Sequence, residues 1–147
     1  MKIFLVIGTL VALYSAAEAA KYTKEEAKEK LLQIGKDCAV ETGASSDDIE
    51  KLLQKNIPDS KPGKCMINCV YKKLGVMKDG KYHPDAGIEV SAMVHEHDSE
   101  LMEKVKKIAT ECDSEAKGED ECEIAAKAME CGVRMAKEHN LMDAIPI

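Results

Sequence analysis

The sequence predicts an all-α fold of six short helices stapled by three disulfides. Apolar residues recur three and four positions apart along most of the chain, which is the period of a helix with one buried face. The sequence contains no alternating pattern long enough for a useful strand, and β-branched residues are sparse. Six cysteines follow a leader of the secretory type, and an even number in a small secreted chain indicates disulfides.

Charge and composition narrow the classes of function. The chain has 147 residues with 21 Lys and Arg against 27 Asp and Glu, a net charge of −6. Phosphate binding needs clustered cations, so a nucleic-acid partner is not expected. A chain of this length with 45% apolar and 33% charged residues folds as one domain.

The first residues are typical of a secretory signal peptide. Lys2 precedes an apolar run from Ile3 to Leu13, and small residues follow to Ala17–Ala20. About twenty apolar residues are needed to span a bilayer, so a retained membrane anchor is the less favoured alternative. No later segment is apolar for long enough to span a membrane. We therefore predict a signal peptide at 1–19 and a secreted helical domain at 20–147.

The first two helices are predicted from their caps. Thr23-Lys24-Glu25-Glu26 has the Ser/Thr-x-x-Glu form of a capping box. One apolar face follows it: Ala27, Leu31, Ile34 and Cys38. Ser45 to Asp48 offer several caps for a short second helix, which ends at Pro58 and the 60–63 stretch. Its apolar residues are Ile49, Leu52 and Leu53.

The middle of the chain predicts two helices separated by a turn. Pro62 suits the first position of a third helix that ends near Gly75. Its inward residues are Cys65, Met66, Cys69, Val70 and Leu74. Lys78-Asp79-Gly80-Lys81 is typical of a turn. Pro84 and Asp85 begin a weaker fourth helix, whose exit is the 95–98 segment and whose apolar residues are Ile88, Val90, Met93 and Val94.

The last two helices have the clearest patterns. Asp98 or Ser99 caps a fifth helix with the stripe Leu101, Val105, Ile108, Ala109 and Cys112. A polar break at 117–118 precedes the sixth helix, which ends near 139–140 and carries Cys131 on a separate face. Its apolar stripe is Cys122, Ala125, Ala126, Met129, Val133 and Ala136. The remaining 141–147 segment is a short apolar tail.

The cysteine spacing is C-x26-C-x3-C-x42-C-x9-C-x8-C. Six cysteines allow fifteen pairings. Cys122 and Cys131 would lie about 13 Å apart along one helix, which is beyond the reach of a disulfide, and Cys65 and Cys69 share one helical face in a poor geometry for bonding each other. These exclusions leave ten pairings open.

This spacing, on an acidic helical chain behind a secretory leader, resembles the insect odorant-binding protein family, the pheromone and general odorant-binding group. The x3 gap between Cys65 and Cys69 and the x8 gap between Cys122 and Cys131 match the family pattern. The resemblance covers essentially the whole mature chain. It implies six short helices around an apolar cavity that carries odorants, pheromones or similar lipophilic molecules, and hence a role in olfaction. The implied disulfides are Cys38–Cys69, Cys65–Cys122 and Cys112–Cys131, one of the ten open pairings.

A site in this chain must be built mainly from aliphatic and thioether side chains. Removal of the leader takes away the only Phe, and the mature chain contains no Trp and three aromatics, Tyr22, Tyr71 and Tyr82. This departure from the family disfavours ligands that depend on ring stacking. Seven methionines remain, and as a group their flexible thioethers favour a wall that adapts to ligands, although any single one is more often core filler. The predicted wall is Leu74, Met77, Ile88, Met93, Val105, Ile108, Met129 and Val133.

Two features of the chain could control access to such a cavity. The resemblance suggests that Leu141, Met142 and Ile145 in the tail form a lid, against the alternative that the tail frays in solvent or packs on the surface. His83, His95, His97 and His139 could titrate between neutral and mildly acidic pH. We hypothesise that their protonation loosens the tail or the 95–98 segment and releases the ligand.

Catalytic and metal-dependent functions find little support. His97-Asp98 invites comparison with secreted phospholipases, but no Cys flanks the pair and no Gly-rich calcium loop precedes it. His95 and His97 could meet on a metal only from a loop, and solvated charge is the simpler interpretation. Gly-x-Ser-x-Gly, nucleotide-loop and His-Glu-x-x-His motifs do not occur. We therefore predict no catalytic residue, no metal site and no cofactor.

Together these observations predict a secreted, extracellular carrier of small hydrophobic ligands that is not an enzyme. A membrane receptor or a second copy of the chain is kept open as a further partner. The alternative is a protein-interaction component of saliva or reproductive fluid built on the same scaffold.

Overall fold

The computed structural model describes residues 22–145, which form six α-helices, one small hairpin and a terminal 3-10 turn. The signal peptide predicted at 1–19 lies outside the described residues. The all-α prediction is confirmed. In chain order the elements are α1 (Lys24–Thr42), α2 (Ser46–Leu53), α3 (Lys61–Lys73), β1 (Met77–Lys78), β2 (Lys81–Tyr82), α4 (Pro84–His95), α5 (Ser99–Glu115), α6 (Glu121–Glu138) and the 3-10 turn (Met142–Ala144).

The helix starts follow local capping chemistry. Thr23 accepts a hydrogen bond from the backbone N–H of Glu26 at 3.2 Å, and the Glu26 carboxylate accepts one from the backbone N–H of Thr23 at 2.8 Å. Pro62 occupies the second position of α3, not the first as predicted, because the N-cap is Ser60. The bond from the Glu26 N–H to the Thr23 side chain satisfies a backbone donor that has no partner within the helix.

The predicted turn at 78–81 is the tip of an antiparallel hairpin. Met77 pairs with Tyr82 and Lys78 with Lys81. Asp79 and Gly80 both have positive φ, 53° and 71°, as the tight two-residue turns of hairpins require. Strands of two residues are too short to produce an alternating pattern, so the sequence indicated only the turn.

Three disulfides tie the helices together. They are Cys38–Cys69 between α1 and α3, Cys65–Cys122 between α3 and α6, and Cys112–Cys131 between α5 and α6. These are the pairings that the family resemblance implied, and no cysteine among the described residues is free. α3 and α6 each carry two of the bonded cysteines, whereas α2 and α4 carry none.

A buried carboxylate joins the starts of α2 and α3. Asp48 is only 4% exposed and accepts hydrogen bonds from the backbone N–H and hydroxyl of Ser45, each at 2.9 Å, and from the Ser60 hydroxyl at 2.7 Å. Ser60 in turn caps α3 by accepting from the Gly63 N–H. The Ser60 hydrogen bond and then the Ser45 backbone bond hold the pKa of Asp48 below its usual value.

The packed core lies on one side of the molecule. Its larger cluster joins buried side chains of α1, α3 and α6, among them Ala39, Met66, Ile67, Ala125 and Ala126. A smaller cluster surrounds the disulfide between Cys112 and Cys131. α4 contributes no fully buried residue. The space between this core and the α4–α5 side is therefore available for a cavity.

Candidate ligand-binding cavity

A cavity of about 440 Å³ lies between the helices. This volume falls in the range of small-molecule sites, about 300–1,000 Å³. Every helix and the tail contribute to its wall, which is mostly aliphatic. Its apolar wall residues include Leu31, Leu32, Ile49, Leu52, Leu53, Met66, Ile67, Val70, Leu101, Val105, Ile108, Met129 and Val133.

The structure brings seven of the ten predicted ligand-contacting residues to this cavity. Those on the wall are Leu74, Val105, Ile108, Met129, Val133, Leu141 and Ile145. All of the wall residues predicted on the fifth and sixth helices are among them, where a regular apolar stripe left little doubt about the inward face. Contact between these side chains and a ligand stays a prediction.

Met77, Ile88 and Met93 do not line the cavity, so their placement on its wall was wrong. Met77 is 2% exposed but lies in the packed core, since its strand packs against the α1–α3–α6 cluster. Met93 is 47% exposed. α4 presents Gly87, Ser91 and His95 to the cavity at four-residue intervals, and the apolar side chains beside them point elsewhere.

Sequence reasoning missed three glycines in the wall. Gly35, Gly87 and Gly132 lie within α1, α4 and α6 and line the cavity. A Cβ on Gly132 would meet nothing within 4 Å, and one on Gly35 would meet only the Met66 Cε at 3.7 Å. Glycine costs about 1 kcal/mol within a helix relative to alanine, so an isolated helical glycine is the signal that could have identified these positions.

Two tyrosines form part of the wall and were not predicted to do so. Tyr71 lies on α3 and Tyr82 on β2. Burial raises the pKa of both phenols, and the electrostatic interaction between them adds to the shift at Tyr71. The hydroxyls therefore remain protonated hydrogen-bond donors at physiological pH.

The C-terminal tail forms part of the cavity wall. Leu141, Ala144 and Ile145 belong to the wall. The Lys55 ammonium donates a hydrogen bond to the carbonyl of Met142 at 2.6 Å, and the His95 Nε2 lies 3.0 Å from the carbonyl oxygen of Ala144. The described part of the tail thus contributes to the wall, although the Met142 side chain does not, and the action of the tail as a lid stays a prediction.

The contact between His95 and the tail bears on the pH hypothesis. A carbonyl oxygen only accepts, so Nε2 must carry the hydrogen in this hydrogen bond. Nε2 donates both in that neutral tautomer and in the imidazolium. Protonation of His95 would keep this bond, and the bond therefore provides no reason for the tail to open in acid.

A charged cleft lies outside the tail. It shares His95, Leu101, Leu141 and Ala144 with the apolar cavity, so these four residues form the partition between the two spaces. The remaining residues of the cleft are polar and of both charges: Lys24, Asp98, Glu100, Lys104, Asn140 and Asp143.

Within residues 22–145, no three His, Cys, Asp or Glu side chains are grouped so that they could hold a metal ion. Of the helices in that range, none combines the length and the apolar character needed to cross a bilayer.

The chain is similar in sequence to a known protein family and to a named member of it. The PBP/GOBP family profile matches residues 20–134. General odorant-binding protein 19d of Drosophila melanogaster is 30% identical over 142 residues, which are 96% of this chain and 93% of that protein.

Solved structures show the same similarity. Odorant-binding protein OBP28a from Drosophila melanogaster has a TM-score of 0.71 and 28% identity, over 81% of this chain and 99% of that one. The fatty acid binding protein OBP56a from the oral disk of the blowfly Phormia regina has a TM-score of 0.61 and 28% identity, over 78% of this chain and 95% of that one.

Proposed function

Because the chain belongs to the PBP/GOBP family, we propose that it is a secreted, extracellular carrier that binds and solubilises small lipophilic molecules. The observation that carries the proposal is the cavity of about 440 Å³ with its aliphatic wall. The relatives of the chain are named odorant-binding proteins. The leader predicted at 1–19 supports secretion.

The cavity suits a flexible aliphatic guest. Burial of roughly 350 Å² of aliphatic ligand contributes about 9 kcal/mol before the costs of association, at about 25 cal/mol per Å². Lost motion and ordering of side chains reduce this to about micromolar affinity. The blowfly relative is described as a fatty acid binding protein. Ten-carbon acids, alcohols and esters are therefore the first ligands to test.

Displacement of the fluorescent apolar probe N-phenyl-1-naphthylamine from the mature protein tests the proposal. We expect Val105→Trp, which fills the cavity, to abolish probe binding. Val40 is 85% exposed, so Val40→Trp adds the same side chain outside the cavity and should leave binding intact. Gly132→Leu is a second blocking variant, since the space beside Gly132 is open. Circular dichroism checks that each variant is folded.

The proposal fails if the folded protein neither binds the probe nor takes up any of the ligands. That result would favour the protein-interaction alternative. A membrane receptor or a second copy of the chain remains a predicted partner, and sedimentation of the mature protein measures self-association. Mass spectrometry of protein secreted from insect cells tests cleavage after residue 19.

A further inference from the structure

We propose that Tyr71 and Tyr82 form a hydrogen-bonding anchor for the neutral oxygen of an aliphatic ligand. On this basis the cavity selects a long-chain alcohol or ester over the matching hydrocarbon and over the ionised fatty acid. The inference rests on the proposed carrier function and specifies its ligand class.

Tyr71 and Tyr82 belong to one wall that is otherwise largely aliphatic, and both pack against the same buried cluster. An electrostatic interaction with Tyr82 contributes to the raised pKa of Tyr71. The Tyr82 hydroxyl lies 3.9 Å from the position that a Cβ would take on Gly87. One helical turn further along α4, the Ser91 hydroxyl also lines the cavity and donates to the Gly87 carbonyl at 3.0 Å. This part of the wall is therefore a polar spot formed by hydroxyl groups.

Neither cavity phenol has a hydrogen-bond partner of its own among residues 22–145. The one fully enclosed side-chain oxygen or nitrogen without a partner in that range is the Oδ1 of Asn68. The tyrosine hydroxyls therefore retain accessible surface, and both residues belong to the wall of the cavity. By contrast, the Tyr22 hydroxyl accepts a hydrogen bond from the Lys30 ammonium at 2.7 Å.

A ligand oxygen would satisfy donors that the protein leaves unsatisfied. Removal of a hydroxyl from water without a new partner is unfavourable, and a ligand oxygen restores the missing hydrogen bond. A hydrocarbon of the same length cannot do so. Discrimination of this kind is strong when a binding site contains polar groups that the wrong ligand leaves unpaired.

The surroundings of the anchor favour a neutral oxygen over a carboxylate. Among residues 22–145, Lys36 is the only lysine in the wall, and it is exposed, while His95 is engaged with the Ala144 carbonyl. The carboxylate of Asp113 acts electrostatically on Tyr82 and adds negative potential there. A buried ligand carboxylate would lose its hydration without gaining a buried cationic partner.

Titration calorimetry on the full mature chain tests the anchor with decanol, decyl acetate, decane and decanoate at pH 7.4. We expect decanol to bind about tenfold more tightly than decane, as one or two hydrogen bonds allow. Tyr71→Phe and Tyr82→Phe should each lower the affinity for decanol about 3- to 10-fold, and the double variant should bind decanol no better than decane. Affinity for decane should not change, because phenylalanine keeps the ring.

Tyr22→Phe is the matched control, since it removes the same hydroxyl from a tyrosine outside the cavity. It should leave all four affinities unchanged. The anchor is refuted if decanol and decane bind equally, if the double variant retains the preference for decanol, or if decanoate binds best. In those cases binding of decane or of the apolar probe would preserve the carrier function. Failure of every ligand and of the probe would reject both proposals.

Discussion

The two sides of the cavity are built differently. The side formed by α1, α3 and α6 is held by two interhelical disulfides and contains the larger buried cluster. The opposite side includes α4, which has no cysteine and no fully buried residue. At its C-terminal end α4 is held by a hydrogen bond from the Tyr22 N–H to the Met93 carbonyl, at 3.1 Å, and by the contact of His95 with the tail.

Because of this difference, one side of the cavity can stabilise the fold while the other side adapts to a ligand. Covalent links restrict the unfolded chain, so one side can stabilise the fold without dense packing on the other. Segments with few buried contacts open at lower free-energy cost than the core. We infer that the cross-linked side determines the stability of the domain, whereas α4 and the tail determine how it admits and retains a guest. The following predictions test that division.

The largest expected effect is loss of the disulfide between α3 and α6. Cys65 and Cys122 are 57 residues apart, and the chain-entropy relation assigns such a link about 4 kcal/mol. The variant with both cysteines changed to Ala should lose about that much free energy of unfolding in urea titration. The same change at Cys112 and Cys131, 19 residues apart, should cost about 3 kcal/mol. A smaller loss for the longer link would contradict this account of the core.

The junction between α2 and α3 should give the next largest effect. Asp48→Ala removes a cap and leaves the partners of a buried carboxylate unpaired, which should cost about 1 to 3 kcal/mol in urea unfolding. Asp47→Ala is the control, because Asp47 is exposed and its carboxylate only pairs with Lys51. If the two variants were equally stable, the buried network would have no special role.

The stability difference at Asp48 should also depend on pH. Since the pKa of Asp48 is lowered in the folded state, its contribution is complete above about pH 4, the ordinary value for an aspartate. It should decrease as the pH falls through the lowered pKa. The gap between wild type and Asp48→Ala should therefore be the same at pH 7 and pH 5.5 and shrink below pH 4. A stability difference between the two proteins that widens in acid would contradict the lowered pKa of Asp48.

Removal of the tail should change ligand release more than stability. A chain ending at Asn140 loses the wall contributions of Leu141 and Ile145 and both hydrogen bonds to the tail. We expect decanol to dissociate on the order of tenfold faster, which corresponds to about 1.4 kcal/mol. Stopped-flow displacement measures the rate. Lys55→Gln, which removes only the ammonium bonded to Met142, should produce a smaller increase, and equal rates in all three proteins would exclude a lid.

The smallest expected effect is a gain in stability at a wall glycine. Gly132→Ala should raise the free energy of unfolding by up to about 1 kcal/mol, because alanine favours the helix and its methyl group enters open space. Gly43→Ala also has open space, but its φ of 70° should make the change destabilising by about 1 kcal/mol. Thermal unfolding of both variants measures whether each substitution stabilises or destabilises the protein. A lower free energy of unfolding for Gly132→Ala would mean that the added methyl group is not accommodated beside Gly132.

The accuracy of the sequence predictions follows the strength of the local signal. Caps such as Thr23 and Ser45 depend on atoms three residues apart, so the helix starts could be predicted directly. On α5 and α6 a regular apolar stripe identified the inward face. On α4 apolar residues occur on several faces, and the prediction placed Ile88 and Met93 inward where the structure has Gly87 and Ser91.

By itself, the sequence determined where the helices begin, how many there are, and that six cysteines could link them, because each of these depends on neighbours within one or two turns. Only the tertiary structure decided which residues share the cavity. Tyr71 from α3 and Tyr82 from the hairpin both line it because the chain folds back after Gly75, and Asp48 is buried where Ser60, the N-cap of the next helix, donates to it. Such contacts depend on how distant segments pack, and no local pattern records them.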